Sequence, residues 1–283
     1  MNALLSAHNL ACGHGKAPVL EAVDLTLAPG EMVGLLGVNG SGKSTLLMTL
    51  SGALEPMAGN VGLAGRDATA LTRRERARAA ALLAQRSDMV FALSCFEVAL
   101  MGRYAHLPML GGYCARDREI TTQAMAETGS LHLAARPIDQ VSGGELARVL
   151  LARTLVQEAP VLLLDEPCSH LDPAASIMVL DLVRNRCSQG SAALMAMHDI
   201  NLAALYCDRL MFLSQGRVAV LGPTKDVLDE QTLRRIYGAD LTVIRHPRTG
   251  APQVLAVPGG ARPDARGPGN GADHGTGSGA GRG

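Results

Sequence analysis

The stretch Gly37-Val38-Asn39-Gly40-Ser41-Gly42-Lys43-Ser44 fills every fixed position of the pattern G-x-x-x-x-G-K-[S/T]. Its surroundings matter as much as the string. Met32 to Leu36 is apolar throughout, as suits a strand at the centre of a sheet covered on both faces. From Lys43 to Leu54, the residues Leu46, Leu47, Leu50 and Leu54 recur at helical spacing. The order strand, glycine loop, helix predicts an α/β fold in which the loop wraps a polyphosphate. Glycines let successive backbone N–H groups point inward, and the helix start adds the positive end of its dipole. In that arrangement Lys43 reaches the β- and γ-phosphates, Ser44 coordinates magnesium through its hydroxyl, and Thr45 follows in the first helical turn. Gly15-Lys16 is a decoy for the same pattern, because Leu10 stands at its first glycine position and Ala17 at its hydroxyl position.

Leu162-Leu163-Leu164-Asp165-Glu166-Pro167 places two adjacent carboxylates at the end of a buried strand, where open parallel sheets gather their ligands. Adjacent acids at a strand end also begin turns and cap helices. Beside a complete phosphate loop, Asp165 is expected to hold hydrated magnesium and Glu166, pointing the other way, to polarise an attacking water. Kinases, GTPases and transport ATPases all share these two elements. Val141-Ser142-Gly143-Gly144-Glu145 narrows the choice. Ser142 and Glu145 form an S-x-x-E capping box ahead of the helix Leu146 to Gln157. A capping box has no need of two glycines, whereas an anion seated at the helix N-terminus does, which makes a second phosphate site in the same chain.

The rest of the chain agrees with one large domain. Val23, Leu25 and Leu27 alternate with polar residues as a half-buried strand before the Pro29-Gly30 turn. Val161 to Leu164 and Ala192 to Met197 are two more buried strands joined by the helix Ala174 to Cys187, a βαβ crossover. Thr72 to Leu83, with arginines at 73, 74, 76 and 78, reads as a solvated helix face. Gly111 to Thr122 enters another helix, and residues from about 87 to 157 carry little strand signal, so a helical subdomain is expected there. Beyond Pro258 nothing apolar larger than alanine remains, so 258–283 is expected to be a disordered glycine- and proline-rich tail after a folded region 1–257.

Composition excludes several classes. A formal net charge of zero gives no electrostatic case for a nucleic-acid partner. No apolar run approaches the roughly 20 residues of a spanning helix. The start lacks the basic and apolar regions of a secretion signal, so the cytoplasm is the expected default, and any membrane link is expected to be made through protein. Six cysteines lie singly, with no C-x-x-C pair, and eight histidines lack ligand spacing, so no structural metal is expected.

Taken together, these motifs resemble the ABC ATPase family, whose signature is L-S-G-G-Q followed by an arginine-bearing helix; Val141 and Glu145 are mild departures. The likeness runs from about Leu5 to Val257. It implies a P-loop core with a mostly parallel sheet, an N-terminal antiparallel β subdomain and an inserted α-helical subdomain. Gln85 falls at the place of the glutamine that touches magnesium and attacking water, His198 at that of the switch histidine on the γ-phosphate. Asp172, within Ser169-His170-Leu171-Asp172, falls at the place of the aspartate that links two sites. By the same resemblance, two copies meet head to tail and ATP lies between the phosphate loop of one and the signature of the other. His14-Gly15 stands where the family usually stacks a tyrosine on adenine; imidazole offers the base a smaller face.

Met101-Gly102-Arg103-Tyr104-Ala105-His106-Leu107-Pro108 and His198-Asp199-Ile200-Asn201-Leu202-Ala203 are similar to stretches in ATPases of iron-siderophore, haem and vitamin B12 importers. The implied partners are a second copy, integral-membrane permease subunits and, indirectly, a solute-binding protein; the implied cofactors are ATP and Mg2+. The alternative within the resemblance is a non-transport ABC ATPase such as an iron-sulfur assembly subunit. A small-molecule kinase leaves Ser142 to Glu145 and His198 unexplained.

Overall fold

The computed structural model describes residues 3–15, 17–84, 93–108 and 110–257; Gln85 and the tail 258–283 lie outside the described residues. The chain opens with antiparallel strands β1 (Leu5–Cys12) and β2 (Leu20–Leu27), followed by β3 (Met32–Gly37), α1 (Lys43–Ser51), β4 (Ala58–Leu63) and the two-residue β5 (Arg66–Asp67). In β2 the residues Leu20, Val23, Leu25 and Leu27 are buried and those between them exposed, the period expected of a sheet with one wet face. Helix α2 (Arg73–Ala79) leads into β6 (Ala80–Leu83), and then come α3 (Cys95–Leu100), α4 (Ala115–Glu127) and α5 (Gly143–Val156). The second half alternates β7 (Val161–Asp165), α6 (Pro173–Ser188), β8 (Ala192–Ala196), α7 (Ile200–Tyr206) and β9 (Arg209–Ser214). It ends with β10 (Arg217–Pro223), α8 (Thr224–Val227), α9 (Glu230–Tyr237) and the hairpin β11 (Leu241–Arg245) with β12 (Pro252–Ala256).

The main sheet has the order β10-β9-β3-β8-β7-β6, parallel except for the antiparallel edge strand β10. A four-stranded antiparallel sheet, β2-β1-β4-β5, lies against one of its faces. Apolar strands such as Met32 to Leu36 face both ways, and successive residues enter different cores. Val33 and Leu35, with Val161, Leu163 and Leu194, join α1 and the antiparallel sheet. Met32 and Leu36, with Leu162, Leu164 and Met195, join the helices on the other side. Among the described residues no helix is long and apolar enough to cross a membrane.

The reading of Thr72 to Leu83 as one solvated helix needs correction. Thr72 and Glu75 close a capping box at the start of α2, but the helix stops at Ala79. Ala80 to Leu83 then pairs in parallel with Val161 to Leu164 as the last strand of the main sheet. Alanine and leucine favour helix locally; the vacant edge of β7 supplies backbone partners that override the preference. Nor are all the arginines simply solvated. Arg78 Nε donates to the Ala105 carbonyl at 2.8 Å, and Arg74 reaches the Leu107 carbonyl, so α2 is tied to the segment that follows α3.

Between β6 and β7 the described residues are helical or irregular, with α3, α4 and α5 sharing a core. Gly102 and Arg103 lock the segment after α3 onto α4 and α5. Arg103 is buried, with Nε donating to Asp117 at 2.8 Å and its guanidinium also reaching Glu158 at 2.6 Å and the Val156 carbonyl at 3.1 Å. The Cys114 backbone N–H, then the Arg103 guanidinium, hold the Asp117 carboxyl down to about 2. A Cβ on Gly102 would stand 2.1 Å from the Arg153 carbonyl oxygen of α5. Gly102→Ala is therefore expected to lower stability by about 1–3 kcal/mol, the usual cost of overpacking. Urea denaturation checks this: an unchanged midpoint would mean that the contact with α5 opens without cost.

Candidate nucleotide-binding site

The C-terminal ends of β3, β7 and β8, three neighbours in the parallel sheet, converge on one place, as open α/β sheets do at their ligand crevices. The loop after β3 is Gly37 to Gly42. Gly37, Gly40 and Gly42 take φ values of 152°, 77° and 98°, and a Cβ on Gly37 would meet the Leu213 carbonyl oxygen at 2.6 Å and the Ser41 hydroxyl at 2.8 Å. Only glycine fits there. Val38, Asn39 and Gly40 are exposed at the rim, whereas Ser41, Gly42, Lys43 and Thr45 are buried and Ser44 is half-buried. The Lys43 ammonium turns back into the loop and donates to the carbonyls of Gly37 at 2.9 Å and Val38 at 3.2 Å. Burial pushes its pKa below the ordinary lysine value, opposed by the carboxylates of Glu166 and Asp165.

Asp165 ends β7 on the side that faces α1, as the period of the strand requires after Val161 and Leu163. It is buried, and burial raises its pKa, while a hydrogen bond from Ser44 opposes that shift. Among the described residues its Oδ1 has no hydrogen-bond partner, and neither has the buried Ser41 hydroxyl. A buried carboxylate oxygen left bare costs free energy unless something binds it. Asp165 beside Ser44, both oxygen donors, fits a hard divalent cation, and the bare Ser41 hydroxyl within the glycine cradle fits a phosphate oxygen.

Glu166, one residue on, points away from α1. It adopts a left-handed φ of 53°, with its N–H donating to the Ala196 carbonyl at 3.1 Å. His198 leaves the end of the adjacent β8, and its Nε2 lies 2.6 Å from Glu166 Oε1. An ionised carboxylate only accepts, so the proton of this bond belongs to the imidazole. The His198 side chain is half exposed and that of Glu166 only 13% exposed, so the pair opens to one side.

The other candidates sit as follows. Ser142 caps α5 through the expected box: its N–H and hydroxyl donate to Glu145 Oε2 at 2.7 and 2.8 Å, which leaves Gly143 and Gly144 as the first helical turn. That turn packs on Ser169 to Asp172, since a Cβ on Gly144 would be 3.2 Å from the His170 carbonyl oxygen. Asp172 is exposed and caps α6, accepting from the Ala175 N–H at 2.8 Å. His14 is exposed in the turn between β1 and β2, and Val19 and Leu20 after that turn pack against Gly42. The structure thus joins Lys43, Ser44, Asp165, Glu166 and His198 in one place. Among the described residues, no hydrogen bond ties Ser142 to the phosphate loop of its own chain.

Sequence reasoning missed Tyr237. Its hydroxyl, pushed up to about 12 by burial, ends α9 close to the Gly37 backbone N–H, which acts against that shift. No local pattern marks it, because the contact spans the whole fold.

A family model described as ABC transporter matches residues 20–169, more than half of the chain. The chain belongs to the ABC transporter family. ATP hydrolysis is the activity of ABC ATP-binding subunits. Among its relatives is the Hemin import ATP-binding protein HmuV of Bordetella pertussis, 44% identical over 252 residues that make up 86% of this chain and 95% of that one. HmuV of Pseudomonas aeruginosa is 43% identical over 89% of this chain and all of its own. Among solved structures, an inward-facing transporter described as metal-chelate type ABC superposes with a TM-score of 0.78 at 25% identity, covering 90% of this chain and 98% of that one. The subunit cbiO1 from Clostridium perfringens, part of the ABC transporter complex cbiONQ, gives 0.69 at 27% identity over 83% of this chain and 94% of its own.

Proposed function

We propose that this chain is the ATP-hydrolysing subunit of an importer for an iron chelate or haem, working as two copies on a membrane permease. Relatives named for hemin import, similar along nearly their whole length, support the class of cargo. The bond between Glu166 and His198, set beside a bare Asp165 oxygen and a glycine cradle, carries the chemistry. Lys43 turns from the Gly37 and Val38 carbonyls to the β- and γ-phosphates, while the N–H groups of the loop hold the β-phosphate. Ser44 and Asp165, with Gln85, would hold Mg2+, which would neutralise charge on the phosphate oxygens. His198 donates from Nε2 to a γ-phosphate oxygen, which frees Glu166 Oε1. Glu166 then takes a proton from water as the water oxygen bonds to the γ-phosphorus and the bond to the ADP oxygen breaks. His14 lies against the base.

Ser142, Gly143 and Gly144 of the second copy close over the γ-phosphate, and Asp172 joins the two sites. Completion of the site by a second copy turns ATP binding into movement. The permease seats in a groove of about 620 Å³ where α1, α2, β6 and the end of α5 meet, lined by Glu55, Arg73, Arg76, Leu82 and Gln157. The chain is then peripheral on the cytoplasmic face of the membrane.

The test is Ser142→Arg. Position 142 is exposed, and loss of its cap costs about 1 kcal/mol, which a folded domain tolerates. The arginine should abolish ATP-dependent dimers, seen by light scattering after size exclusion, and leave nucleotide binding by the monomer intact. Dimers of parental stability would remove the site shared between copies.

A further inference from the structure

His198 sits on a short support. On one side it is held by β8, where the Met197 N–H donates to the Leu35 carbonyl at 3.1 Å; on the other, helix α7 has only seven residues, too few to hold its own orientation in water, so the partners of α7 fix that side of the turn. One side is packed: Ala203 and Cys207 lie against Gly34 of β3, where a Cβ would meet Cys207 Sγ at 3.1 Å. The start is capped by Asp199, which accepts from the Asn201 and Leu202 N–H groups at 2.8 and 2.9 Å. The last residue, Tyr206, donates its hydroxyl to Asp181 at 2.8 Å and accepts at its carbonyl from Arg184 at 3.4 Å, and a further tie comes from the far end of the chain. The Asn201 carboxamide donates from Nδ2 to the Val254 carbonyl at 3.1 Å and accepts the Val254 N–H at 2.6 Å. Gln253 adds a bond from Nε2 to the Asn201 carbonyl at 3.3 Å.

A side-chain amide that satisfies both backbone groups of one residue behaves as a one-residue strand partner. It occupies the edge of β12 that β11 leaves open, where an unpaired edge would otherwise face water or another chain. The hairpin is itself fixed to the body of the protein: Leu241, Val243 and Val254 pack on the core, and the Val243 N–H donates to Glu230 of α9 at 3.2 Å. Asn201 is therefore the joint through which β11 and β12 hold the turn that carries His198.

We propose that Asn201 is a positioning residue for His198, and that the C-terminal hairpin sets the efficiency of hydrolysis through it. This rests on the reading of Glu166 and His198 as the hydrolytic pair. Two variants break the joint from opposite sides. Asn201→Ala removes the carboxamide. Val254→Pro removes the N–H that Asn201 accepts, at an edge position where proline is tolerated, and exchanges one apolar side chain on the core for another. Both should lower kcat by about 10- to 100-fold, the scale of a misplaced group, with ATP affinity within about twofold of the parent.

In a His198→Ala background, itself slower than the parent, Asn201→Ala should add less than about twofold, because the group it positions is gone. In nucleotide-free protein with labelled histidines, the His198 imidazole resonances should move in both variants while those of His14 and His132 stay. Parental kcat in either variant overturns the proposal. So do losses that multiply with His198→Ala, or a parallel fall in ATP affinity and melting temperature, which mark a merely structural role. Parental kcat in His198→Ala alone overturns the site reading instead. The resonances then decide the joint by themselves, and unmoved signals reject it.

Discussion

Replacing Glu166 by glutamine should leave ATP binding intact and lower turnover by about 10²- to 10⁴-fold, the usual weight of a positioned general base. The substitution is close to isosteric and keeps an acceptor for His198 Nε2, now 2.6 Å away, so the pair and its unusual backbone survive. What it removes is the ability to take a proton. The drop should appear in kcat alone, because a group that acts only as bonds to phosphorus change adds nothing to ground-state affinity. Single-turnover hydrolysis with prebound ATP measures the chemical step directly. Hydrolysis at the parental rate would falsify the assignment of Glu166 as base and leave water activation to another group.

How much of this site the sequence made legible follows from the range of the forces involved. The phosphate loop, the acidic strand end and the capped glycine turn are local devices, each set by what a few adjacent residues permit, and Gly37 to Ser44 folds as its glycines demand. The central strands were legible because burial on both faces leaves an unbroken apolar run, as in Met32 to Leu36. Strand β6 was not, since Ala80 to Leu83 has no strand character of its own and is made one by the edge of β7. Asn201 and Tyr237 escaped for a related reason. Their partners, Val254 and Gly37, lie 53 and 200 positions away, and a polar residue alone does not announce a contact at that range. Gly102 and Arg103 were legible only as a likeness; the 2.1 Å approach to Arg153 and the buried ion pair with Asp117 supply their physical reason.

Lys43→Ala is the substitution expected to weaken nucleotide binding most. The ammonium is buried and donates to two carbonyls of its own loop. Replacement of those carbonyls by phosphate oxygens exchanges neutral acceptors for charged ones. Hydrogen bonds to charged groups contribute about 1.5–3 kcal/mol each, so two lost phosphate contacts amount to about 3–6 kcal/mol, or about 10²- to 10⁴-fold in Kd. A second effect acts in the same direction. Lys43 is the cation that opposes Asp165 and Glu166, and without it the polyphosphate meets two carboxylates with less positive charge between them. Lys43→Arg should rescue little, because a guanidinium has no room where the lysine side chain is already buried and its planar fork cannot reach both carbonyl positions. Calorimetric titration with ATP and Mg2+ distinguishes the cases. Affinity within a few-fold of the parent in Lys43→Ala would place the triphosphate outside the glycine cradle, and the roles of Ser44 and Asp165 beside it would fall together.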